Sequence, residues 1–453
     1  MRQVALRWSL VVVGLIASGS GVARADIGDE LAKIVPDGIL PLDRFGSSIA
    51  VAGPIALIGA PLDDEQGVDS GSVYMVDLDS GDTLAKWIPA DGAAGDQFGV
   101  SIAVADGYAF VGAERDDDRG TDSGSVYVYE IASGMQVAKL AADDGAQDDR
   151  FGGAVASAGG RLLVGARHDS DSGEWSGSVY VFEVPGWAQL GKLVAEDGLP
   201  DDNFGYSIAL QGSLALIGAP LTNFYNTDSG VAYLFDVSTM EQVAKLVPPS
   251  GGLSDNFGLS VALSGSMAVI GTPGDDQHGS GSGAVYLFDT GNGAQLAKLT
   301  ADDASSGSKL GNAVSAYGSR VLAGAYRDNV FNPYSGSAYL FDIASGTQLA
   351  KLVPHDGAYQ DHFGNAIGLW DSVAIVGAYR DDDMGEDSGS VYLFDAADGC
   401  RVDLDGDGDV DTADFLAFLN AWAGGWSLGD WDGNTRLDTR DFLAYLNDWV
   451  AGC

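Results

Sequence analysis

The apolar residues of this chain fall in short runs separated by clusters of Gly, Asp and Ser. In one representative stretch the runs are Ser101–Ala105, Tyr108–Ala113, Ser125–Ile131 and Gln136–Ala141. Each run is rich in strand-forming residues, ends at turn residues and is too short for a helix, so each predicts a β-strand. Val126–Tyr129 is apolar at consecutive positions, which indicates a strand covered on both faces.

This four-strand unit recurs at a constant period of 53 residues, with seven copies of each landmark. A Phe-Gly pair precedes the first strand in six copies, and Leu310-Gly311 takes its place in the sixth. The Phe or Leu positions are Phe45, Phe98, Phe151, Phe204, Phe257, Leu310 and Phe363. A lysine of the fourth strand recurs at Lys33, Lys86, Lys139, Lys192, Lys245, Lys298 and Lys351. Such regular spacing predicts a repeat architecture.

Seven units of four strands predict an all-β fold, a seven-bladed β-propeller over residues 26–399. A fourth-strand segment, Leu31–Val35, comes before the first Phe-Gly pair, and the repeats end on a third strand, Ser390–Asp395. We therefore expect the N-terminal segment to complete the last blade and close the ring, which removes the exposed edge that an open array would leave. The alternative, a linear solenoid, would need polar end caps, and none is visible.

The formal charge of −42, due mostly to Asp, excludes classes of partner. Such a surface repels nucleic acid and anionic lipid. It is typical of a solvated acidic surface, and the alternative is a surface that binds cations.

The repeat resembles the FG-GAP repeats of integrin α subunit heads. The resemblance rests on Phe98-Gly99 with its strand, on Gly59–Pro61 and Gly218–Pro220, and on third strands such as Val179–Phe182. It covers roughly residues 27–398 and implies a propeller that serves in binding or adhesion. Independently of the family, a Phe here can wedge between neighbouring sheets, and the Gly permits a backbone conformation closed to other residues.

The chain departs from the integrin pattern in its calcium loops. Integrin-type copies bind calcium between the first and second strands, but here that connection is as short as Ala105–Gly107. Acidic clusters lie instead between the second and third strands, at Asp63–Glu65, Asp116–Asp118 and Asp381–Asp383. Their Ser and Gly neighbours favour turn chemistry, with a bound metal as the alternative.

Residues 1–25 are predicted to be a secretory signal peptide. Arg2 and Arg7 precede the apolar run Leu10–Ala17, and Ala23–Ala25 forms an A-x-A cleavage site. The run is too short to span a bilayer, and no other stretch predicts a transmembrane segment. We therefore expect a secreted, extracellular or surface-associated protein.

The C-terminal residues 400–453 contain two predicted calcium loops, each followed by a helix. Loop positions that would hold calcium through side-chain or backbone oxygens come at EF-hand-like offsets. In the first loop these are Asp403, Asp405, Asp407, Asp409, Asp411 and Asp414, and in the second Asp430, Asp432, Asn434, Arg436, Asp438 and Asp441. Position 6 is Gly408 in the first loop but Thr435 in the second, which predicts a weaker second site. The alternative is two acidic turns without metal.

Two loop–helix units of this kind resemble a dockerin. The resemblance implies calcium as cofactor and a cohesin-like protein partner, bound through residues at loop positions 10 and 11. These are Thr412, Ala413, Thr439 and Arg440. Cys400 and Cys453 bracket the module, which suggests a disulfide clasp worth about 4 kcal/mol by loop-closure reasoning. The alternative is an intermolecular or anchoring role for Cys453.

No catalytic constellation is visible in the sequence. The four histidines, His168, His278, His355 and His362, share no repeat position. The leading hypothesis is an exported, non-enzymatic binding or adhesion propeller, tethered through its dockerin-like module to a cohesin-bearing or cell-surface partner. The alternatives are a polysaccharide-active hydrolase or lyase that uses the propeller loops, and an acidic spacer in a surface layer.

Three loops break the repeat and supply aromatic residues that the other copies lack. They are residues 167–175, 222–226 and 329–334. We expect them to share one face of the propeller with the loops that join fourth to first strands. A protein or glycan ligand of the propeller is predicted to bind on that face.

Overall fold

A computed structural model describes residues 27–397, 412–424 and 439–451. The chain divides into two compact units, one of which is residues 27–397. The two helices belong to the other unit. Neither of them is long and apolar enough to cross a membrane.

Residues 27–397 form seven four-stranded antiparallel sheets, which confirms the seven-bladed all-β propeller. The strands of blades 1 to 3 are β2 (Ser48–Ala52), β3 (Ile55–Ala60), β4 (Ser72–Asp77) and β5 (Thr83–Trp87); β6 (Ser101–Ala105), β7 (Tyr108–Ala113), β8 (Ser125–Glu130) and β9 (Met135–Leu140); β10 (Phe151–Ala158), β11 (Arg161–Ala166), β12 (Ser178–Glu183) and β13 (Gln189–Leu193). Those of blades 4 and 5 are β14 (Ser207–Gln211), β15 (Leu214–Ala219), β16 (Val231–Asp236) and β17 (Glu241–Leu246); β18 (Val261–Ser264), β19 (Met267–Thr272), β20 (Ala284–Asp289) and β21 (Gln295–Leu299). Those of blades 6 and 7 are β22 (Ala313–Tyr317), β23 (Arg320–Ala325), β24 (Ser337–Asp342) and β25 (Gln348–Leu352); β26 (Ile367–Trp370), β27 (Val373–Ala378), β28 (Ser390–Asp395) and β1 (Glu30–Ile34).

The N-terminal strand closes the ring, as predicted. β1 pairs antiparallel with β28, with Lys33 opposite Tyr392 and Ile34 opposite Val391. The first strands of successive blades contact one another around the ring, and β26 of blade 7 contacts β2 of blade 1. The first strands therefore line the central axis, and the fourth strands form the outer rim.

The core lies between the blades. The second and third strands are buried along most of their length, as their consecutive apolar residues indicate. Leu163 and Val181 of blade 3, for example, pack against Ile217 and Val231 of blade 4. Burial on both faces follows from this stacking of neighbouring sheets.

Phe98-Gly99 acts as the predicted wedge. Phe98 is fully buried and meets the ring of Tyr127 edge-on at 5.3 Å. Gly99 has φ +93°, and a Cβ there would lie 2.7 Å from the carbonyl oxygen of Ser72 in the preceding blade. Leu310 is also buried, so the sixth copy keeps an apolar wedge. The pair is therefore framework that joins adjacent blades.

Three predicted strands, which correspond to β1, β8 and β9, are wrong by one residue at one or both ends. β8 ends at Glu130 because the amide of Ile131 donates to the carbonyl of Gly107, in the neighbouring turn. β9 runs from Met135 to Leu140 because Met135 pairs with Glu130 across the hairpin. Turn hydrogen bonds decide these ends, and apolar patterning does not report them.

In the C-terminal unit, α1 spans Thr412–Gly424 and α2 spans Thr439–Ala451. The rings of Phe418 and Tyr445 are buried and stack at 4.0 Å, and they bring the two helices together. Trp449 adds a contact with Phe415 at 5.5 Å. The two helices thus share an apolar interface.

Candidate functional site on the loop face

The loops between second and third strands lie beside the loops that bring the chain into the next blade. The amide of Gly95 donates to the carbonyl of Val68 at 2.8 Å, and that of Phe98 donates to Ser70 at 3.0 Å. The prediction that these loops share one face is therefore confirmed. We call this side of the propeller the loop face.

A repeated ion-pair cluster, which we call the belt, holds these loops to the fourth strands. In blade 2, Asp116 accepts hydrogen bonds from Ser125 at 3.0 Å and Tyr127 at 2.9 Å, and Lys139 lies 2.8 Å away. Asp116 is buried, and its carboxylate also accepts the amide of Asp118 at 3.1 Å. The belt aspartates are Asp63, Asp116, Asp169, Asp275, Asp328 and Asp381. The acidic loops thus form turn hydrogen bonds, as predicted, but the sequence analysis missed their lysine partner.

Blade 4 lacks a belt aspartate. Thr222 takes its place, and Lys245 keeps the other ion pair of the repeat, with the half-exposed Asp197 at 2.7 Å. The ring of Phe224 lies 4.7 Å beneath the Lys245 ammonium and supplies a cation–π contact. The unusual loop of blade 4 therefore compensates for a missing carboxylate.

The belt also bears on the metal alternative. Asp356, Asp381 and Asp383 bring carboxylate oxygens close enough to hold a cation. Lys33 lies among them, with its Nζ 2.7, 2.9 and 2.6 Å from the three carboxylates. The lysine ammonium thus occupies the place that a metal would need.

A second cluster surrounds the axis on the loop face, at four positions of each repeat. These axial positions are the residues on either side of the Phe-Gly pair and the two that follow the second strand. Their side chains are Arg44, Ser47, Pro61 and Leu62 in blade 1 and their equivalents at steps of 53. In this acidic chain only one of the 28 axial residues, Glu114, carries a negative charge. Between residues 27 and 397 there are 17 Lys and Arg; seven are belt lysines, and seven of the other ten are axial.

Blades 6, 7 and 1 meet at His362. Its Nδ1 lies 2.9 Å from the hydroxyl of Tyr379, and its ring meets that of Tyr326 edge-on at 5.1 Å. Arg44 stacks over Tyr379 at 5.6 Å, and Arg327 stacks over Tyr326 at 5.1 Å. Aromatic and cationic groups from three blades therefore converge on one side of the axis.

Several cationic side chains lie close together on this side of the axis, and they shift the pKa values of neighbouring groups. Burial and the charges of Arg380, Arg327 and Arg44 lower the pKa of His362 to about 4, so the imidazole is neutral near pH 7. Burial and Arg327 also lower the pKa of Lys309, although two aspartates offset part of the shift. Repulsion among like charges is therefore built into the site.

Few carboxylates balance these cations. Asp387 lies 3.5 Å from Arg44 and 3.8 Å from Arg380. Over the described residues, neither Arg327 nor Lys309 forms an ion pair with a carboxylate. The Nε atoms of Arg44 and Arg380 are buried, and no described group forms a hydrogen bond with them.

On the opposite side of the axis two of the three axial arginines are paired with carboxylates. Arg167 of blade 3 forms a two-point hydrogen bond with Glu114 of blade 2 and lies over the ring of Tyr206 at 5.7 Å. Arg150 donates to Asp122 at 2.9 Å. The loop face is therefore asymmetric: four of its seven axial cations lie on the side of blades 6, 7 and 1, whereas the one axial carboxylate, Glu114, lies on the other side.

The three irregular loops contribute unequally to this site. Tyr334, from the loop of blade 6, lies 5.9 Å from the Arg327 guanidinium and so belongs to the cluster. Trp175, from blade 3, is half-exposed and stacks on His168 at 4.9 Å. The sequence analysis missed Arg44, Arg327 and Arg380. The clue that would have found them is the near absence of acidic residues from the axial positions.

Most predicted site residues of the C-terminal unit lie outside the described residues. These are Asp403, Asp405, Asp407, Asp409, Asp411, Asp430, Asp432, Asn434, Arg436 and Asp438, with Cys400 and Cys453. The signal peptide also lies outside them. Both helices begin at loop position 10, at Thr412 and Thr439, and these two side chains and Arg440 are exposed. Asp414 is fully buried, and Ala413 and Asp441 lie within the first turns of their helices.

A family model described as FG-GAP repeat matches the chain seven times. The matched residues are 29–76, 82–129, 135–182, 187–235, 240–288, 294–341 and 347–394. The chain belongs to the FG-GAP repeat family. Each match begins near a fourth strand and ends in the third strand of the next blade, which agrees with the closure of this FG-GAP propeller by β1. No curated protein matches the chain.

Proposed function

We propose that this protein is an exported, non-enzymatic FG-GAP propeller that binds a ligand on its loop face and is tethered by its C-terminal unit. The observation that carries the binding role is the asymmetric cluster at the axis, where surface-accessible rings and unbalanced cations come from three blades. Ligand sites of ring-shaped β folds are built from loops held by a rigid frame, and this cluster fits that pattern. The seven wedges and the belt serve as the frame.

The tether in this proposal is a dockerin-like module that binds calcium and then a cohesin-like or surface partner. Two observations support it. The helices begin at the same loop position in both copies and share an aromatic interface, and the exposed Thr412, Thr439 and Arg440 stand at the proposed docking positions. Calcium would be held by the two Asp-rich loops. Cys400 and Cys453 would either clasp the module or leave Cys453 to anchor the chain.

The calcium proposal is tested on the full-length protein by isothermal titration calorimetry. The wild type should bind two calcium ions, the second more weakly. Asp405→Ala should abolish the stronger site, because position 3 supplies a side-chain ligand. Asp409→Ala is the matched control, since position 7 supplies a backbone carbonyl and its side chain is dispensable. No calcium binding, or equal loss in both variants, would contradict the assignment.

The tether is tested by pull-down from envelope extracts, with and without a calcium chelator. We expect capture of a partner that the chelator abolishes, and capture reduced in a Thr412→Asp, Thr439→Asp variant. Equal recovery with and without chelator would refute calcium-dependent tethering. Thiol alkylation followed by mass spectrometry decides between the two roles of Cys453.

A further inference from the structure

The cation cluster of blades 6, 7 and 1 lacks the negative charge that would balance it. Arg44, Arg327 and Arg380 surround His362, and Lys309 is close enough to Arg327 to feel its charge. Asp387 is the carboxylate that pairs with Arg44 and Arg380. By contrast, each of the seven lysines of the fourth strands is paired with at least one carboxylate. Four neighbouring cations that share one paired carboxylate, in a chain of charge −42, therefore need an explanation.

We infer that this axial cluster binds the carboxylate of an acidic sugar, a uronic acid that is free or at the end of a glycan. Guanidinium groups bind carboxylates through two parallel hydrogen bonds, and Arg327 and Arg380 come from adjacent blades to the same cluster. The inference rests on the proposal that the propeller is a binding module, and it names the ligand class of its loop face.

The surroundings favour a sugar over a simple anion. The phenol rings of Tyr326 and Tyr379 and the half-exposed ring of Tyr334 offer flat apolar surface with polar tips. Asn312 and Asn365 are axial residues of blades 6 and 7 and lie within hydrogen-bond distance of each other at 3.4 Å. Their amides both donate and accept hydrogen bonds, as hydroxyl groups require, whereas a phosphate requires donors alone.

The surroundings also disfavour a polyanion or a peptide strand. Exposed aspartates such as Asp64, Asp117 and Asp382 lie in the acidic loops of the same face and would repel a chain with many negative charges. β1 already pairs with β28, so that edge of blade 7 is closed to an added peptide strand, and the fourth strands that end each sheet lie at the outer rim, away from the axis. A ligand with one carboxylate on a hydroxyl-rich ring meets both conditions.

The test is calorimetric titration of the full-length protein with galacturonate, galactose and an Asp-rich peptide. We expect galacturonate to bind and galactose, which differs by the carboxylate, to bind at least tenfold more weakly. Arg327→Gln and Arg380→Gln should each weaken galacturonate binding about tenfold or more. Arg161→Gln is the matched control, since Arg161 opens β11 at the opposite end of blade 3, and it should bind as the wild type does.

Each outcome decides the inference. Binding of galacturonate that the two axial variants lose and the control keeps supports it. No galacturonate binding, equal binding of galactose, or binding of the peptide alone overturns it. In the last case the propeller remains a binding module with another ligand class. Failure of the proposed function itself would appear separately, as the absence of any captured partner in the pull-down.

A spectroscopic measurement on the wild-type site gives an independent check. His362 faces Arg44, Arg327 and Arg380 and the rings of Tyr326, Tyr334 and Tyr379. A carboxylate bound among these arginines adds a negative charge, so saturation with galacturonate should raise the pKa of His362 from about 4. NMR titration of the imidazole resonances measures it, and His362→Gln assigns the signal. An unchanged pKa at saturation would place the ligand elsewhere.

Discussion

Replacing a belt lysine by Met should destabilise the propeller in proportion to the buried charge that it leaves behind. Lys139→Met keeps an apolar chain of similar length but removes the ammonium from Asp116, whose side chain is 4% exposed. Breaking a buried ion pair by removing one partner typically costs about 3–5 kcal/mol. Asp116 keeps hydrogen bonds from Ser125, Tyr127 and the Asp118 amide, so we expect about 3 kcal/mol.

Blade 4 provides the matched control within the same protein. Lys245→Met removes an ion pair with Asp197, which is 55% exposed, and a cation–π contact with Phe224. Exposed pairs contribute about 0–1 kcal/mol and a cation–π contact about 0.5–1 kcal/mol. The loss should therefore be about 1 kcal/mol, because Thr222 leaves no buried carboxylate uncompensated.

Thermal and urea denaturation, followed by tryptophan fluorescence and circular dichroism, measure both losses. We expect Lys139→Met to lower the free energy of unfolding by about 2 kcal/mol more than Lys245→Met. Adding Asp116→Asn to Lys139→Met should recover part of the loss, since a neutral amide removes the buried charge. Equal losses in the two lysine variants, or no recovery in the double variant, would refute the assignment of the effect to buried charge.

Two further predictions concern the wedge and the loop that precedes it. Gly99→Ala combines a positive φ with a Cβ that would lie 2.7 Å from the Ser72 carbonyl oxygen. Gly107→Ala is the control, because φ there is +83° but the space around the Cβ is open. We expect the melting temperature of Gly99→Ala to lie well below that of Gly107→Ala, and similar values would contradict a steric role at the wedge. Burial and then repulsion from Asp116 raise the pKa of Asp96 from 3.8 to about 6. The folded state therefore holds the Asp96 proton more tightly than the unfolded state does. The contribution of Asp96 to the stability of the fold falls as pH rises from 4 to 6. Asp96→Asn should therefore stabilise the protein at pH 7 by up to about 3 kcal/mol and by little at pH 4, which paired melting curves measure; an equal effect at both pH values would count against it.

The belt shows how local and distant information differ. The acidic loop and the Leu-Ala-Lys-type strand are each recognisable by eye, but Lys139 also contacts Asp91, 48 residues away in the preceding copy. The spacing of charged residues along the sequence does not predict which lysine forms an ion pair with which aspartate. The antiparallel pairing of β8 with β9 decides it, because it places Lys139 opposite Tyr127 and above Asp116.

The sequence by itself determined the blade number, the strand order and the closure of the ring. These follow from strand-length apolar runs, a 53-residue period and a fourth-strand segment at the start. All three are patterns in the local sequence, and the alternation of side chains along a strand relates such patterns to secondary structure. The wedge was also predictable, because an aromatic residue followed by Gly at a repeat boundary has few other structural roles.

Only the tertiary structure decided where the cations gather. Arg44 and Tyr379 lie at opposite ends of the repeat array, and ring closure brings them within 5.6 Å. Arg327 joins them from a third blade, since axial residues of adjacent blades converge as the radius of the ring shrinks. The repeat pattern predicts the strands of each blade. The axial cluster, by contrast, depends on residues that differ between blades, and these blades become neighbours only when the ring closes.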